Sequence, residues 1–370
     1  MTTRLRQPGS MEQLRRHNLH LVLRAIYSGA AESRAELAVA TGLTKPTVST
    51  LVGDLLAEGF ISERGPGRSS ESGGKRPTLL KFEPQSRQVI GISVVGRRVL
   101  GVLTDLAGEI SSLHVRELDD GEGALDDDAS ALGDVVAGLL PQLDAPLLSV
   151  GAGLPGSSAN RDLARRLASR FGVEVHLGNQ AELSALGQLA YADGIAHGST
   201  LVNLIVDRVI EIGVAMAGGS IHYGSDLGAL TFGVDGSTLG RRLTWEAVRP
   251  RLEAVLGGRV DGTTPSYLRL REAAVRGDVN AKALVDELAR DLAAVLAWLV
   301  ATLRPRQVSL GGRLGDLGQP FLDTVRAHSE RLLPAEQLSG VDLSLAYTDQ
   351  LGAMGAAALA IQAELELLLP

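Results

Sequence analysis

The sequence predicts an α/β protein in two unequal parts: a small helical module closed by a two-stranded hairpin, then a larger domain of alternating helices and strands. Three observations carry this expectation. Residues 33–60 pack helix caps and turn signals around two short apolar stripes. Residues 64–77 place a Gly- and Ser-rich basic stretch between two short β-rich runs. From Val89 onward, strand-like and helix-like patterns alternate for most of the remaining chain.

The chain has 370 residues, which at roughly 150 residues per domain implies two or three domains. Hydrophobic residues make up 45% and aromatics only 3%, so the core is built from Leu, Val, Ala and Ile. The absence of cysteine excludes disulfides and thiolate-held zinc or iron–sulfur sites, so no metal or cofactor is expected. No apolar run is long enough for a membrane-spanning helix, and Met1–Gln13 lacks the apolar stretch of a signal peptide. A cytoplasmic location fits both observations. The net charge is −7, but it is unevenly spread: residues 1–82 hold 12 Lys and Arg against 7 Asp and Glu, and the rest holds 24 against 36. A basic module on an acidic body suits a partner that carries phosphates.

Residues 11–27 have a helical period, with Leu14, Asn18, Leu21, Val22 and Ala25 predicted to share the inner face. Ser33 is placed as a helix N-cap, with Glu36 completing a capping box. Leu37, Ala38 and Ala40 give a short helix, and Gly42 supplies the left-handed turn that ends it. Thr44 caps a second helix with Pro46 in its first turn, and Val48, Leu51, Val52 and Leu55 form its inner stripe. Short helix, glycine turn and a helix with small polar residues at its start make a helix-turn-helix, whose second helix fits a DNA major groove. The candidate DNA contacts are Ser33, Arg34, Thr44, Lys45, Pro46, Thr47, Ser49 and Thr50. After Phe60-Ile61, a strand, the basic tip 64–77 and a returning strand TLLKF make a wing. There Arg64, Lys75 and Arg76 are placed against phosphates or the minor groove. The DNA-binding unit is therefore assigned to residues 1–82 and the larger domain to 83–370.

In the larger domain, residues 89–113 read as strands breaking at Gly96-Arg97 and Ala107-Gly108. A helix over 129–143 precedes the buried strand LLSVGAG. Gly151-Ala152-Gly153-Leu154-Pro155-Gly156 spells GxGxxG, but Pro155 stiffens the turn and no strong amphipathic helix follows, so a tight structural loop is expected rather than a dinucleotide site. Helices are then expected over 160–172, from Gln180, and over 239–256, 265–275 and 278–304. Strands are expected at VEVHL, TLVNLIV (200–206), the run from Val209 and 307–311, with a small-residue helix from Gly352.

This order resembles the ROK family of repressors and sugar kinases, in particular its regulators, which join a winged helix-turn-helix to a two-lobed, actin-like, sugar-kinase-like α/β domain. The resemblance rests on SRAELAVATGLTKPTVSTLVGDLLAEGFISE, the Gly-Lys-Arg-Pro wing, VGAGLPG, NQAELSALGQ, and RPRQVSLGGRLGDLG with LGAMGAAALA. It implies that Ser93 stands where the kinases carry an acid of the phosphate hairpin, and Asn179-Gln180 where they carry Asn followed by the catalytic Asp. An amide cannot accept a proton from a sugar hydroxyl near neutral pH. DRVIEIG replaces a glycine-rich phosphate loop, with Val209, Ile210 and Ile212 expected to crowd phosphates. Ala229 and Phe232 replace a sugar-binding Glu and a zinc-binding His. The expectation is a non-enzymatic transcriptional regulator of the repressor type, a homodimer or homotetramer on a near-palindromic operator. Its effector is expected to be a sugar or modified sugar, with Asn160, Asn179, Gln180, Phe232 and Asp235 as candidate contacts. The alternatives are an ATP-dependent sugar kinase, or a regulator whose larger domain only oligomerises.

Overall fold

The computed structural model describes residues 11–66, 76–95, 98–118, 125–156, 161–191, 199–216, 221–224, 227–231, 236–258, 266–345 and 348–367. The N-terminal unit comprises α1 (Met11–Tyr27), α2 (Arg34–Thr41), α3 (Lys45–Ala57) and the antiparallel pair β1 (Ile61–Pro66) and β2 (Thr78–Phe82). Its local signals act largely as their chemistry requires. Ser33 Oγ accepts the Glu36 N–H, while the Glu36 carboxylate accepts the Glu32 N–H at 2.8 Å, one residue before the cap. Gly42 turns the chain at φ +69, and Thr44 accepts the Thr47 N–H at the head of α3. Val48, Leu51, Val52 and Leu55 are all buried. The face of α1 differs from expectation: His20, Val22, Leu23 and Ile26 are buried, whereas Leu14 is 55% exposed. Apolar residues occur on two sides of this helix, and the 19/22/23/26 stripe is the one that meets α2 and α3.

The larger domain has two lobes of matching design. The first holds β3 (Gln88–Val95), β4 (Arg98–Asp105), β5 (Ile110–Glu117), α4 (Leu125–Leu139), β6 (Leu147–Leu154), α5 (Arg161–Phe171), β7 (Val175–Asn179) and α6 (Gln180–Tyr191). The second holds β8 (Leu201–Val206), β9 (Ile210–Ala215), β10 (Ile221–Gly224), α7 (Gly240–Leu243), α8 (Trp245–Leu256), α9 (Ser266–Val275), α10 (Val279–Leu303), β11 (Gln307–Gly311), α11 (Gln319–Ser329), α12 (Ala335–Leu338), β12 (Asp342–Leu345) and α13 (Thr348–Leu365). Both sheets have the order third-second-first-fourth-fifth, β5-β4-β3-β6-β7 and β10-β9-β8-β11-β12. In each, the first three strands are antiparallel and the last two join parallel to the first.

The helices that close the lobes exchange places. α13 lies across β3, β4 and β6 of the first lobe, α6 lies on β8 and β9 of the second, and the two helices pack on each other. Glycine makes this possible. A Cβ at Gly91 or Gly151 would collide with the carbonyl oxygens of Ala353 and Ala356 on α13, and one at Gly213 with that of Ala181 on α6. Gly187 and Gly355 meet across the helix pair, each against the partner helix's backbone. The first glycine of the GxGxxG run therefore seats a helix, and Gly156, at φ +82, makes the turn, as a structural loop requires.

Several elements depart from the sequence reading. The helix expected over 239–256 breaks at Thr244, which is extended at ψ 154, because Trp245 N–H is drawn to Asp207 O at 2.9 Å. α11, α12 and β12 had no counterpart: α11 is announced only by Pro320 in its first turn, α12 has four residues, and β12 has four residues and a half-buried face.

The core of the N-terminal unit does not close at Phe82. Val22, Leu23, Leu37, Leu51, Leu55 and Leu80 share one apolar cluster with Val89, Leu106, Ala357, Ala360, Ile361, Leu365 and Leu367. The tail of α13 thus completes the core of the N-terminal unit. His20 and His17 lie 3.2 and 3.9 Å from Glu366 at the same junction. Ile361→Ala is expected to cost about 2–4 kcal/mol and to lower a single cooperative calorimetric transition; an N-terminal unit melting separately and at its original temperature would contradict the shared core.

Candidate nucleic-acid interface and interlobe cleft

The outer face of the N-terminal unit is formed by the start of α3 and the wing. Lys45, Pro46, Ser49 and Thr50 are exposed and Thr47 is half-buried. Thr44 and Thr47 share a hydroxyl hydrogen bond of 2.8 Å, and Thr50 donates to Pro46 O at 3.2 Å, so these three are turned to their own helix. Lys45 and Ser49 are exposed and make no hydrogen bond or ion pair with the described residues. They are the two side chains at the helix head whose donors stay available, one a cation and one a short hydroxyl, beside the positive end of the helix. Ser33 is different: it is only 2% exposed and its oxygen caps α2, so its expected DNA contact is corrected to a structural role. Arg34 is tied to Glu63 on the wing strand at 3.0 Å, which sets the angle between α2 and the wing. Arg64 and Arg76 are exposed on the wing, and Lys75 lies outside the described residues.

The second site is the cleft between the lobes. At its floor, Gln180, fully buried, donates through Nε2 to Ser93 Oγ at 2.7 Å and to Ser184 Oγ at 3.2 Å. Its Oε1 accepts the Val94 N–H at 3.3 Å. Gly352, in the first turns of α13, sits directly over this cluster, since a Cβ there would touch Gln180, Ser93 and Ser184. The two positions that the family resemblance assigns to acid chemistry are thus a sealed amide–hydroxyl joint, with neither a carboxylate nor an open face.

Asn179 is also fully buried. Its Oδ1 accepts the Ala181 and Glu182 N–H groups at 2.9 and 3.1 Å, capping α6. Its Nδ2 donates to Gly156 O at 3.1 Å and to Glu211 Oε1. Glu211, from β9, also accepts the Gly156 N–H at 2.8 Å. The sequence reading passed over Glu211, although an acid set between isoleucines on an otherwise apolar strand is itself a signal. Val209, Ile210 and Ile212 were expected to crowd a phosphate site; Ile210 and Ile212 instead face the second lobe's core.

Beyond the β8–β9 turn, Asp207 pairs with Arg313 Nε at 3.0 Å. Arg313 is buried and lies 4.6 Å over the Trp245 ring. Burial pushes the Asp207 carboxyl up, and Arg313 draws it partly back down. The segment DRVIEIG, which the resemblance sets in place of a glycine-rich phosphate loop, therefore begins with a packed ion pair against an indole. Of the expected effector contacts, Asn179 and Gln180 lie side by side in the cleft, already hydrogen-bonded, while Asn160, Phe232 and Asp235 lie outside the described residues. Among the described residues, no cluster of His, Asp and Glu is arranged to hold a metal.

Residues 154–363 match the ROK family, and the chain belongs to it. It is 25% identical over 341 residues to the xylose repressor of Bacillus spizizenii, covering 86% of this chain and 88% of that one. It is 22% identical to the DNA-binding transcriptional repressor Mlc of Escherichia coli, covering 89% of each. The crystal structure of a ROK family transcriptional regulator homologous to that Mlc protein superposes with a TM-score of 0.67 at 16% identity, over 95% of this chain and 98% of that one. A ROK family glucokinase from Streptomyces griseus superposes at 0.60 and 23% identity, over 74% of this chain and 99% of that one. The shared portion with the regulator includes the N-terminal unit, whereas the glucokinase covers a share equal to the larger domain.

Lys45→Ala and Ser49→Ala are each expected to weaken operator binding by about 1–3 kcal/mol while changing affinity for random DNA less, measured by competition titration; equal losses on both would reduce them to phosphate contacts. Arg76→Ala is expected to lower the slope of log K against log salt by about one unit.

Proposed function

We propose that this protein is a DNA-binding transcriptional repressor whose kinase-like domain transfers no phosphate and serves effector sensing and assembly. The observation that carries the reading is the pairing of two features on one chain. A winged helix-turn-helix presents free Lys45 and Ser49, and the position of the catalytic base is a buried amide bonded to Ser93. The relatives bearing the names xylose repressor and Mlc repressor support the same reading. Lys45 and Ser49 face the major groove with donors available, Pro46, Thr47 and Thr50 line the helix head beside them, and Thr44 orders it. Arg34, Arg64 and Arg76 flank it toward the backbone and minor groove, with Lys75 kept as a sequence-based candidate of the same kind. One such helix offers few base contacts, so a homodimer or homotetramer on a near-palindromic operator supplies the needed affinity. The effector is a sugar or modified sugar, consistent with the xylose repressor relatives. The region around Asn179 and Gln180 is its place, and Asn160, Phe232 and Asp235 are kept as sequence-based candidate contacts. No described helix is long and apolar enough to cross a membrane, in keeping with a cytoplasmic regulator.

The test is genome-wide DNA capture with the full chain against the full-length Lys45→Ala/Ser49→Ala variant. Deleting residues 1–82 would expose Leu106, Ile361 and Leu365 and confuse folding with binding. A discrete near-palindromic motif enriched by the wild-type protein and lost in the variant is expected; no enrichment with either would overturn the repressor reading. Incubation with ATP and a panel of hexoses and pentoses is expected to give no sugar phosphate, and turnover that follows the purified protein would restore the kinase alternative. A sugar that binds at about a hundredfold over its dissociation constant should add about 2.7 kcal/mol of stability, read as a rise in melting temperature together with a change in operator affinity. Absence of any such sugar would favour the reading in which the domain only oligomerises.

A further inference from the structure

We infer that the Glu211 carboxylate is an interlobe latch that holds the cleft closed and thereby sets the position of the DNA-binding unit. Glu211 belongs to β9 of the second lobe. Both of its described donors belong to the first: the Gly156 N–H at 2.8 Å, in the turn after β6, and Asn179 Nδ2, at the junction of β7 and α6. All three groups are removed from solvent or nearly so: Glu211 and Asn179 are each 0% exposed, and Gly156 is half-buried. Hydrogen bonds to an ionised acceptor are about twice as strong as neutral ones, and a buried carboxylate deprived of donors is costly. Closure is therefore favoured by this chain's own side chain. A hydroxyl-bearing ligand that reaches for Asn179 or Gly156 meets donors already engaged by Glu211.

The latch stands at the head of the elements that reach the DNA-binding unit. Asn179 caps α6. At the other end of α6, Tyr191 packs over Gly108 in the β4–β5 turn. Burial raises the Tyr191 hydroxyl pKa, and Tyr27 of α1 and Asp105 raise it further. α6 is locked to α13 through Gly187 and Gly355, and α13 ends inside the core of that unit. A shift of the α6 head is passed on by two rigid helices in backbone contact. Such coupling requires the lobes and the helix pair to have two arrangements, which the label distances below resolve.

The chain has no cysteine, so spin labels attach only where cysteines are introduced. Leu140→Cys in the first lobe and Val275→Cys in the second are exposed positions. Distances between labels are measured in the full chain with Glu211, Glu211→Gln and Glu211→Ala. The wild type is expected to give one narrow distance. Glu211→Ala is expected to add a population displaced by more than about 2 Å, with Gly156 amide exchange faster by about tenfold or more. Glu211→Gln keeps the shape and one acceptor and is expected to fall between them, which separates latch release from misfolding. A folded Glu211→Ala protein with wild-type distances and wild-type Gly156 protection would overturn the latch. A shifted distance with unchanged operator affinity would overturn its link to the DNA-binding unit. The link rests on the repressor reading, but the label distances do not: failure of the wild-type protein to bind any operator would sink that reading and leave the latch to be decided by the distances alone.

Discussion

The structure depends on the direct seating of helix backbone on sheet backbone. At Gly91 and Gly151, neighbours on paired strands, α13 lies closer than any side chain would permit. Gly213 does the same for α6, and Gly187 with Gly355 lets the two helices touch. Interior packing at this distance leaves little room for side chains to yield, so five small positions set how closely each helix approaches the backbone it covers. Because α6 and α13 each close the lobe opposite to the one they follow, neither lobe is complete without the other.

The same economy appears in the polar groups buried within the sugar-kinase-like architecture. In a kinase cleft, buried or half-buried carboxylates are poised to exchange partners with substrate. Here Ser93, Gln180 and Ser184 satisfy one another under Gly352. Asp207 and Arg313 satisfy one another beside Trp245. Both clusters hold polar atoms in low dielectric with their partners in place, which favours one conformation over traffic through the site.

Much of the DNA-binding unit was legible in the sequence because its signals are local. Ser33, Gly42, Thr44 and Pro46 each act within four residues, so caps, turn and inner stripe of α3 could be placed without knowing the fold. The stripe of α1 could not, since Leu14 and Leu23 are equally apolar and only the distant tail of α13 decides which is covered. Ser33 illustrates the limit within the site itself: the chemistry that makes a good cap also makes a plausible DNA contact, and burial separates the two. In the larger domain, the strands of the first lobe were readable from alternation. The break at Thr244 was not, because it answers to Asp207 in another lobe element. Glu211 and Arg313 escaped for a similar reason. Each takes its meaning from a partner more than thirty residues away, and a linear reading sees only a charge in an apolar run.

The sharing of a core between α13 and the winged fold also orders events during synthesis. The helices and hairpin that contact DNA leave the ribosome first, while Ile361, Leu365 and Leu367 follow only after both lobes have been made. A unit of this size with part of its apolar surface uncovered is marginal on its own, and contacts so distant in sequence form late. The winged unit therefore reaches its full core only in a chain that has been made through α13.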